Sequence, residues 1–547
     1  MNAPALGAQQ PVSGGWARWW PFLLVASLYG FVGSREIELP GIYMDAVNPD
    51  YMVARILGSG ARSFAGWAPP GNDLLHRFPV LVGLHHGSMQ FWLGLPLFAI
   101  FGMSVTGLRL VHMCFALGVL AASYWLLLRG GVRRWLDAGA CIALALDPAF
   151  VFAFRTQGYI TMAPFALLML TVGALMRARD TVDRKRTAWL IVSGGMAGLA
   201  CFGYFIYSFF LPCLLIAASR LPSGRNRMRN VGWLCLGIAL GASPYVAGYA
   251  LIAYDMKSIR GAWSHLISVE PGLGLAARNG SLAERFDHLV EMFDMVLTDS
   301  WHRTLLFRED SRSAVERWKA VALVALPLAG WLAIERMRIS SWMVRVLVGL
   351  LGSYVAGTLV FGTRLAGHHF MPLVPLVYVT LAASAESLLT RFGAMLVRAC
   401  VWVAGCVLLA LNVAADSREI AMLQRTGGVA TFSDAINRFG SDLAAGTGDD
   451  LLAFPDWGLF MPVAFLTHAR YEMEPILNEA QLRRALCGGQ DVVVGLIDGD
   501  RASRARALQD ALRWSAPYVH PYRQRDGTIA FEAFRFGGNR NAPGCLP

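Results

Sequence analysis

The chain has 547 residues, of which 55% are hydrophobic and 16% charged, and its mean hydropathy is +0.46. Repeated apolar runs near bilayer length exclude an ordinary soluble core and read as a polytopic α-helical membrane protein. The net charge of +11 does not read as a nucleic-acid face, because the arginines gather in short loops between apolar runs: RGGVRR from Arg129, RARDTVDRKR from Arg177, RLPSGRNRMR from Arg220 and ERMR from Glu335, the positive-inside pattern.

Residues 1–15 are expected to be disordered. The run over 16–34 has no convincing small-residue cleavage site and reads as a retained first span, and Arg18 beside it suggests a cytoplasmic start. Further spans are expected over 106–128, 136–154, 160–176, 188–203, 204–219, 231–254, 317–334, 340–362, 367–388 and 395–413, about eleven in all. The segment MQFWLGLPLFAIFG, Met89–Gly102, is short and carries Pro96, so an interfacial or re-entrant helix is expected there. Every arginine-rich loop then falls on one side. The other side receives 35–105, 255–316 and everything after 414, with the eleven histidines on it or close to it, His112 included. Function is therefore expected to face the periplasm, from a bacterial inner membrane.

The loop over 255–316 contains AERFDHLVEMFDMVLTDSWHR, an amphipathic helix whose Asp287, His288 and Glu291 read as a solvated face. Trp263, His265 and Trp301 are expected to anchor at the interface or stack on a sugar or polyprenyl chain. Residues 414–547 read as a small periplasmic α/β domain, with helices at TFSDAINRFGSDLAAG, NEAQLRRALC and DRASRARALQDALRW and strands at DLLAFP, DVVVGLI and TIAFEAFRF. Within it, Asp456 and Trp457 of FPDWGLFMP could line an acceptor site. Seven of the nine cysteines sit in apolar runs; Cys487 and Cys545 lie on the oxidising side, where a disulfide is expected.

The stretch GIYMDAVNPDYM, from Gly41, places Asp45 about ten residues beyond the first span, near the membrane surface. A carboxylate there is suited to taking a proton from an acceptor hydroxyl while a sugar arrives on a lipid carrier. Asp50 is a substrate-binding candidate, although NPD also reads as an Asx-type turn with Asp50 capping a helix from Tyr51.

The first span, the acidic loop, PPGNDLLHRFPVLVGLHHGSMQFWLGLPLFAIFG from Pro69 and TGLRLVHMCFALGVLAASYWLLL from Thr106 together resemble the GT-C superfamily of membrane glycosyltransferases, which includes the lipid A aminoarabinose transferases and protein O-mannosyltransferases. The resemblance covers 16–413, chiefly as architecture. It implies a polyprenyl-phosphate-linked sugar donor, a glycan, glycolipid or protein acceptor, no cofactor, no obligatory metal, and a catalytic base at the position of Asp45. Two departures stand out. The common Asp-Glu pair is Asp45-Ala46, and His85, His86, Gly87 and Ser88 stand where many relatives have Lys-Pro-Pro.

Displacing a lipid phosphate calls for positive charge where water is scarce, which arginine supplies in a planar fork. Arg155 in FAFRTQGYI and Arg364 in FGTRLAGHHFMPL are the candidates, with Arg35 the lesser one. The pairs His85-His86 and His368-His369 are expected to hydrogen-bond phosphate or sugar hydroxyls; adjacent histidines diverge on any regular element and lack a metal-ligand spacing. Two other readings stand beside the transferase: a transporter or flippase of lipid-linked glycan, and a non-catalytic glycan-assembly protein.

Overall fold

The computed structural model describes residues 19–547 apart from 59–77, 83–85, 223–226, 270–279, 338–340, 363–364, 393–394, 457, 475–476, 498, 543–544 and 546–547; the expected disordered start, residues 1–15, lies outside the described residues. Each of the eleven apolar runs is helical. The order begins with α1 (Trp20–Ser34), two short helices α2 (Met44–Val47) and α3 (Val53–Leu57), and α4 (Met89–Phe101). Long helices follow: α5 (Val105–Arg129), the pair α6 (Arg134–Ala145) and α7 (Pro148–Thr156), α8 (Gly158–Arg179), α9 (Asp183–Gly203), α10 (Leu211–Ser219) after a 3-10 turn, and α11 (Arg227–Asp255). Beyond them come α12 (Ile259–Val269), α13 (Leu282–Leu297), α14 (Ser300–Phe307), α15 (Ala314–Arg336), α16 (Trp342–Phe361), α17 (Leu373–Phe392) and α18 (Met395–Thr426).

By length and composition, seven helices among the described residues can cross a membrane, and α6 with α7 makes an eighth, bent by 52°. The chain is thus a multi-pass membrane protein. The remaining expected spans are α1, of 15 residues, α9, whose first turns are charged, and the 3-10 turn with α10. The expected short helix with Pro96 is α4, of 13 residues.

Local chemistry explains the boundaries. Ser104 caps α5 through Gly107 N–H, and Ser281 with Glu284 and Ser313 with Glu316 form capping boxes at α13 and α15. The α6–α7 break is made by Asp147, whose side chain accepts from Ala149 N–H, with Pro148 at the first helical position. In the core, Gly194 and Gly198 of α9 face Gly237 and Gly241 of α11 so closely that a Cβ on Gly198 would meet Ile238 O at 2.2 Å. That spacing lets two backbones touch where apolar lipid gives no hydrophobic drive.

Two ends of the bundle are separated by these spans. At one end the arginine-rich turns meet: Arg129 pairs with Asp180 at 3.7 Å, Arg133 with Glu386 at 3.3 Å, and Arg186 donates to Pro222 O at 2.6 Å. At the other, a buried charge network ties four helices to the α7 cap. Lys319 Nζ lies 2.9 Å from Asp147 and 3.0 Å from Asp299, Tyr378 donates to Asp147 at 2.6 Å, and Asn412 donates to Tyr378 at 3.0 Å.

The boundary expected at 413 falls inside α18, which runs unbroken to Thr426. After it come α19 (Ala435–Ala444), β1 (Leu451–Ala453), α20 (Phe460–Leu466), β2 (Glu472–Glu474), α21 (Glu479–Cys487), β3 (Val492–Leu496), α22 (Arg501–Leu512), β4 (Tyr518–Arg523) and β5 (Ile529–Phe536). The expected helices and strands are all present; α20, β2 and β4 are additions, short or flanked by polar residues. The sheet order is β2-β1-β3-β5-β4, parallel from β2 to β3 and antiparallel thereafter. Cys487 and Cys545 are disulfide-bonded, with Cα atoms 5.4 Å apart.

This sheet domain is seated on the loop after α1. Gly41 N–H donates to Phe432 O at 2.8 Å, Ile42 N–H donates to Asn437 Oδ1 at 3.2 Å, and Ile42, Val47 and Tyr51 share a core with Phe439, Phe460 and Phe465.

Candidate functional site

Two buried arginines shape the approach to the site. Arg155, with no exposed surface, donates to Gly33 O at 2.9 Å and to Glu36 O and Leu39 O at 3.0 Å each, and also to Arg35 O. These are carbonyls at and beyond the end of α1, which no helical partner can satisfy. Arg109, equally buried, donates to Pro40 O at 3.2 Å and to Arg155 O. The terminal nitrogens of Arg155, which its position in the sequence suggested for a phosphate, are instead spent on folding the loop that carries Asp45.

Asp45 lies in the first turn of α2 and is partly buried. Its Oδ2 accepts from Gln157 Nε2 at 3.0 Å. Gln157 sits where α7 gives way to α8, with φ −141° and ψ 45° outside both helices, so the chain turn aims its amide across at α2. The same Nε2 lies 3.1 Å from His368 Nδ1, and Trp301 Nε1 donates to Gln157 Oε1 at 3.4 Å. Both amide hydrogens are thus engaged. His368 Nδ1 accepts, and its neutral form carries the proton on Nε2.

From His368 the polar groups continue in an arc. The His368 and His369 rings lie 4.1 Å apart. His369 Nδ1 is 3.2 Å from Ala366 O, a group that only accepts, so Nε2 of neutral His369 is left to accept from Tyr204 O–H at 3.0 Å. The ring of Tyr204 is 5.7 Å from that of His86, and His86 Nε2 is 3.2 Å from Asn48 Nδ2. Gly87 lets this segment lie against Phe202, whose ring a Cβ would meet at 2.1 Å. Asp45, His86, His368 and His369, singled out from sequence, are brought together; Gln157, Tyr204, Trp301 and Asn48 complete the arc. His85, Arg364 and Trp457 lie outside the described residues, as does the side chain of His265. Trp263 is half-exposed on α12, away from the arc's described contacts.

Behind the arc, Asp50 is a correction to its reading as a cap. Its side chain caps no helix; it is fully buried and its Oδ2 lies 2.7 Å from His112 Nε2, with Gln90 Nε2 donating to the same oxygen at 2.9 Å. His112 Nδ1 is 2.9 Å from Phe154 O, so Nδ1 carries a hydrogen. One further proton must then lie between Nε2 and the carboxyl, making the pair neutral overall. This dyad joins α5 to the end of α7 three residues before Gln157. A histidine inside an apolar span is a signal that sequence alone carries, and His112 is such a residue.

His288, placed on a solvated face by its spacing, is partly buried and lies 2.7 Å from Leu365 O, next to the His368 turn. Asp456 accepts from both terminal nitrogens of Arg504, at 2.9 and 2.7 Å, and from Ile497 N–H at 2.8 Å, which makes it a brace within the sheet domain.

No protein-family model and no curated protein matches this chain. Among solved structures, the chain is similar to ArnT from Cupriavidus metallidurans bound to undecaprenyl phosphate, with 13% identity, a TM-score of 0.45 and coverage of 98% of this chain and 100% of that one. It is similar to the arabinofuranosyltransferase AftD from Mycobacteria, with 16% identity, a TM-score of 0.48 and coverage of 96% and 40%. A third likeness is to the S. cerevisiae protein O-mannosyltransferase Pmt1-Pmt2 complex bound to the sugar donor, at 16% identity, a TM-score of 0.29 and coverage of 44% and 34%.

Proposed function

We propose that this protein is an inverting, integral-membrane glycosyltransferase that moves a sugar from a polyprenyl-phosphate carrier to a periplasmic glycan, glycolipid or protein, with Asp45 as general base. The observation that carries this reading is the arc from Asp45 through Gln157, His368, His369 and Tyr204 to His86. It joins a carboxylate to several hydrogen-bonding rings at the end of the bundle away from the arginine-rich turns. The acceptor oxygen attacks the anomeric carbon, its proton passes to Asp45, and the phosphate departs with the electrons of the broken carbon–oxygen bond. Gln157 orients the carboxylate through a neutral amide and so leaves its charge in place.

The departing phosphate needs cationic or N–H stabilisation. With the terminal nitrogens of Arg155 committed to carbonyls, that role falls in this reading to the Nε2–H of His368, which His369 positions from the neighbouring ring, with Arg364, four residues before His368 in the chain, as the guanidinium partner. The arginine-rich turns are cytoplasmic in this reading, the site and the sheet domain periplasmic, and the membrane a bacterial inner membrane. In the same reading the sheet domain, seated on the Asp45 loop, contacts the acceptor.

Transfer of radiolabelled sugar from crude polyprenyl-phosphate donors, in membranes with matched amounts of wild type or Asp45→Asn, tests the proposal. Wild type transfers label, and the variant falls by about 10²- to 10⁴-fold, the contribution of a general base. Equal transfer by both removes Asp45 from the chemistry.

A further inference from the structure

The bundle is cleft from its arginine-rich end outward to Phe293, whose ring lies 5.7 Å from that of Phe370, the residue after His369. Helices α15 and α16 touch each other sparingly because both lie against α17, and the space between them is a groove of about 700 Å³. Leu323, Pro327 and Trp331 of α15 face Val348 and Val355 of α16 across it, Val377 of α17 lies behind, and Phe293 of α13 closes the outer end. Gly352 also lines it, and a Cβ there would meet no atom within 4 Å.

The mouth differs in chemistry from the walls. Arg220, Glu335 and Arg345 stand there, and Glu335 is paired with Arg345. Arg220, exposed at the end of α10, has no carboxylate partner among the described residues, so the mouth carries one net positive charge. From Leu323 to Glu335 the wall is twelve residues of helix, about 18 Å at 1.5 Å per residue. One leaflet is about 15 Å, half of a hydrocarbon core about 30 Å thick.

We propose that the groove binds an anionic phospholipid of the leaflet on the arginine-rich side, its phosphate against Arg220 and one acyl chain lying between α15 and α16. The net charge at the mouth favours an anionic over a zwitterionic headgroup. A groove about one leaflet long suits an acyl chain. In the transferase reading a polyprenyl phosphate would hold its phosphate at the opposite end of the bundle, beside Asp45, and not at Arg220; only this distinction between the two lipids rests on that reading, and the two are separated by the lipid that is retained.

The full-length protein is placed in nanodiscs containing equal phosphatidylglycerol and phosphatidylethanolamine plus a trace of undecaprenyl phosphate, and native mass spectrometry follows the lipids retained as the discs are stripped. Wild type keeps one phosphatidylglycerol. Arg220→Gln, an exposed change, retains it about fivefold less, the effect of one surface cation near a membrane. Gly352→Phe fills the groove and abolishes retention, with an unchanged far-ultraviolet spectrum and elution volume establishing that it folds. Equal retention of both phospholipids, retention of undecaprenyl phosphate instead, or wild-type retention by both variants overturns the proposal.

Discussion

At the scale of single residues, Gln157 is the pivot of the site. Its amide holds Asp45 with one hydrogen and His368 with the other, while its oxygen accepts from Trp301. Gln157→Leu is close in size and removes all three contacts. Under the transferase reading it leaves donor affinity nearly intact and lowers kcat about tenfold or more, because a misoriented base loses part of its contribution. Steady-state kinetics that found a raised KM with unchanged kcat would instead make Gln157 a binding residue. Arg155 carries the opposite lesson. Its sequence context offered a phosphate ligand, but the carbonyls at and after the end of α1 claimed both terminal nitrogens, four of the five donors of the guanidinium. Which acceptors lie within reach of a side chain is a tertiary fact.

Among elements, the junction of α6, α7, α14, α15, α17 and α18 depends on Lys319. The ammonium is 3% exposed and lies between two buried carboxylates. Lys319→Met keeps most of the stem volume but leaves Asp147 and Asp299 facing each other without a counter-charge. Breaking a buried pair in this way costs about 3–5 kcal/mol. A lowered unfolding midpoint in detergent, restored in part by a second change of Asp299→Asn, is the expected result. A midpoint equal to wild type would mean the network contributes nothing net. The disulfide acts at the same scale, holding the last described turn to α21 across a sequence separation of 58. Its two cysteines were legible because they alone fall outside the apolar runs.

For the whole molecule, acid sensitivity follows from His302. Buried on α14, its imidazole is pushed down to about 3, chiefly by desolvation and against the raising effect of Asp147. In the unfolded chain it takes up a proton near pH 6.5. As pH falls from about 6.5 toward 3 the unfolded state binds a proton that the folded state refuses, so stability declines by up to about 1.4 kcal/mol per pH unit. Asp299, its carboxyl raised chiefly by burial, acts in the opposite sense, because there the folded state holds the proton more firmly. The test is therefore the difference between wild type and His302→Phe: unfolding midpoints measured from pH 7.5 to 4.5 should separate, with the variant losing less. Parallel curves would exclude His302 as the acid-sensitive group.

The sequence by itself determined the eleven helical runs, the two ends of the bundle and the α/β character of the tail, because hydropathy, arginine placement and residue period act locally and survive without knowledge of neighbours. It also marked Asp45, His86, His368 and His369, since polar groups crowded beside apolar spans are costly unless used. Only the tertiary structure decided that Asp50 is locked to His112, that Arg155 folds a loop, and that Gln157 joins Asp45, 112 positions before it, to His368, 211 positions after it. The physical reason is that a hydrogen bond is set by distance and direction at about 3 Å, and no local pattern fixes which of many polar groups the packing of distant helices will bring within that reach.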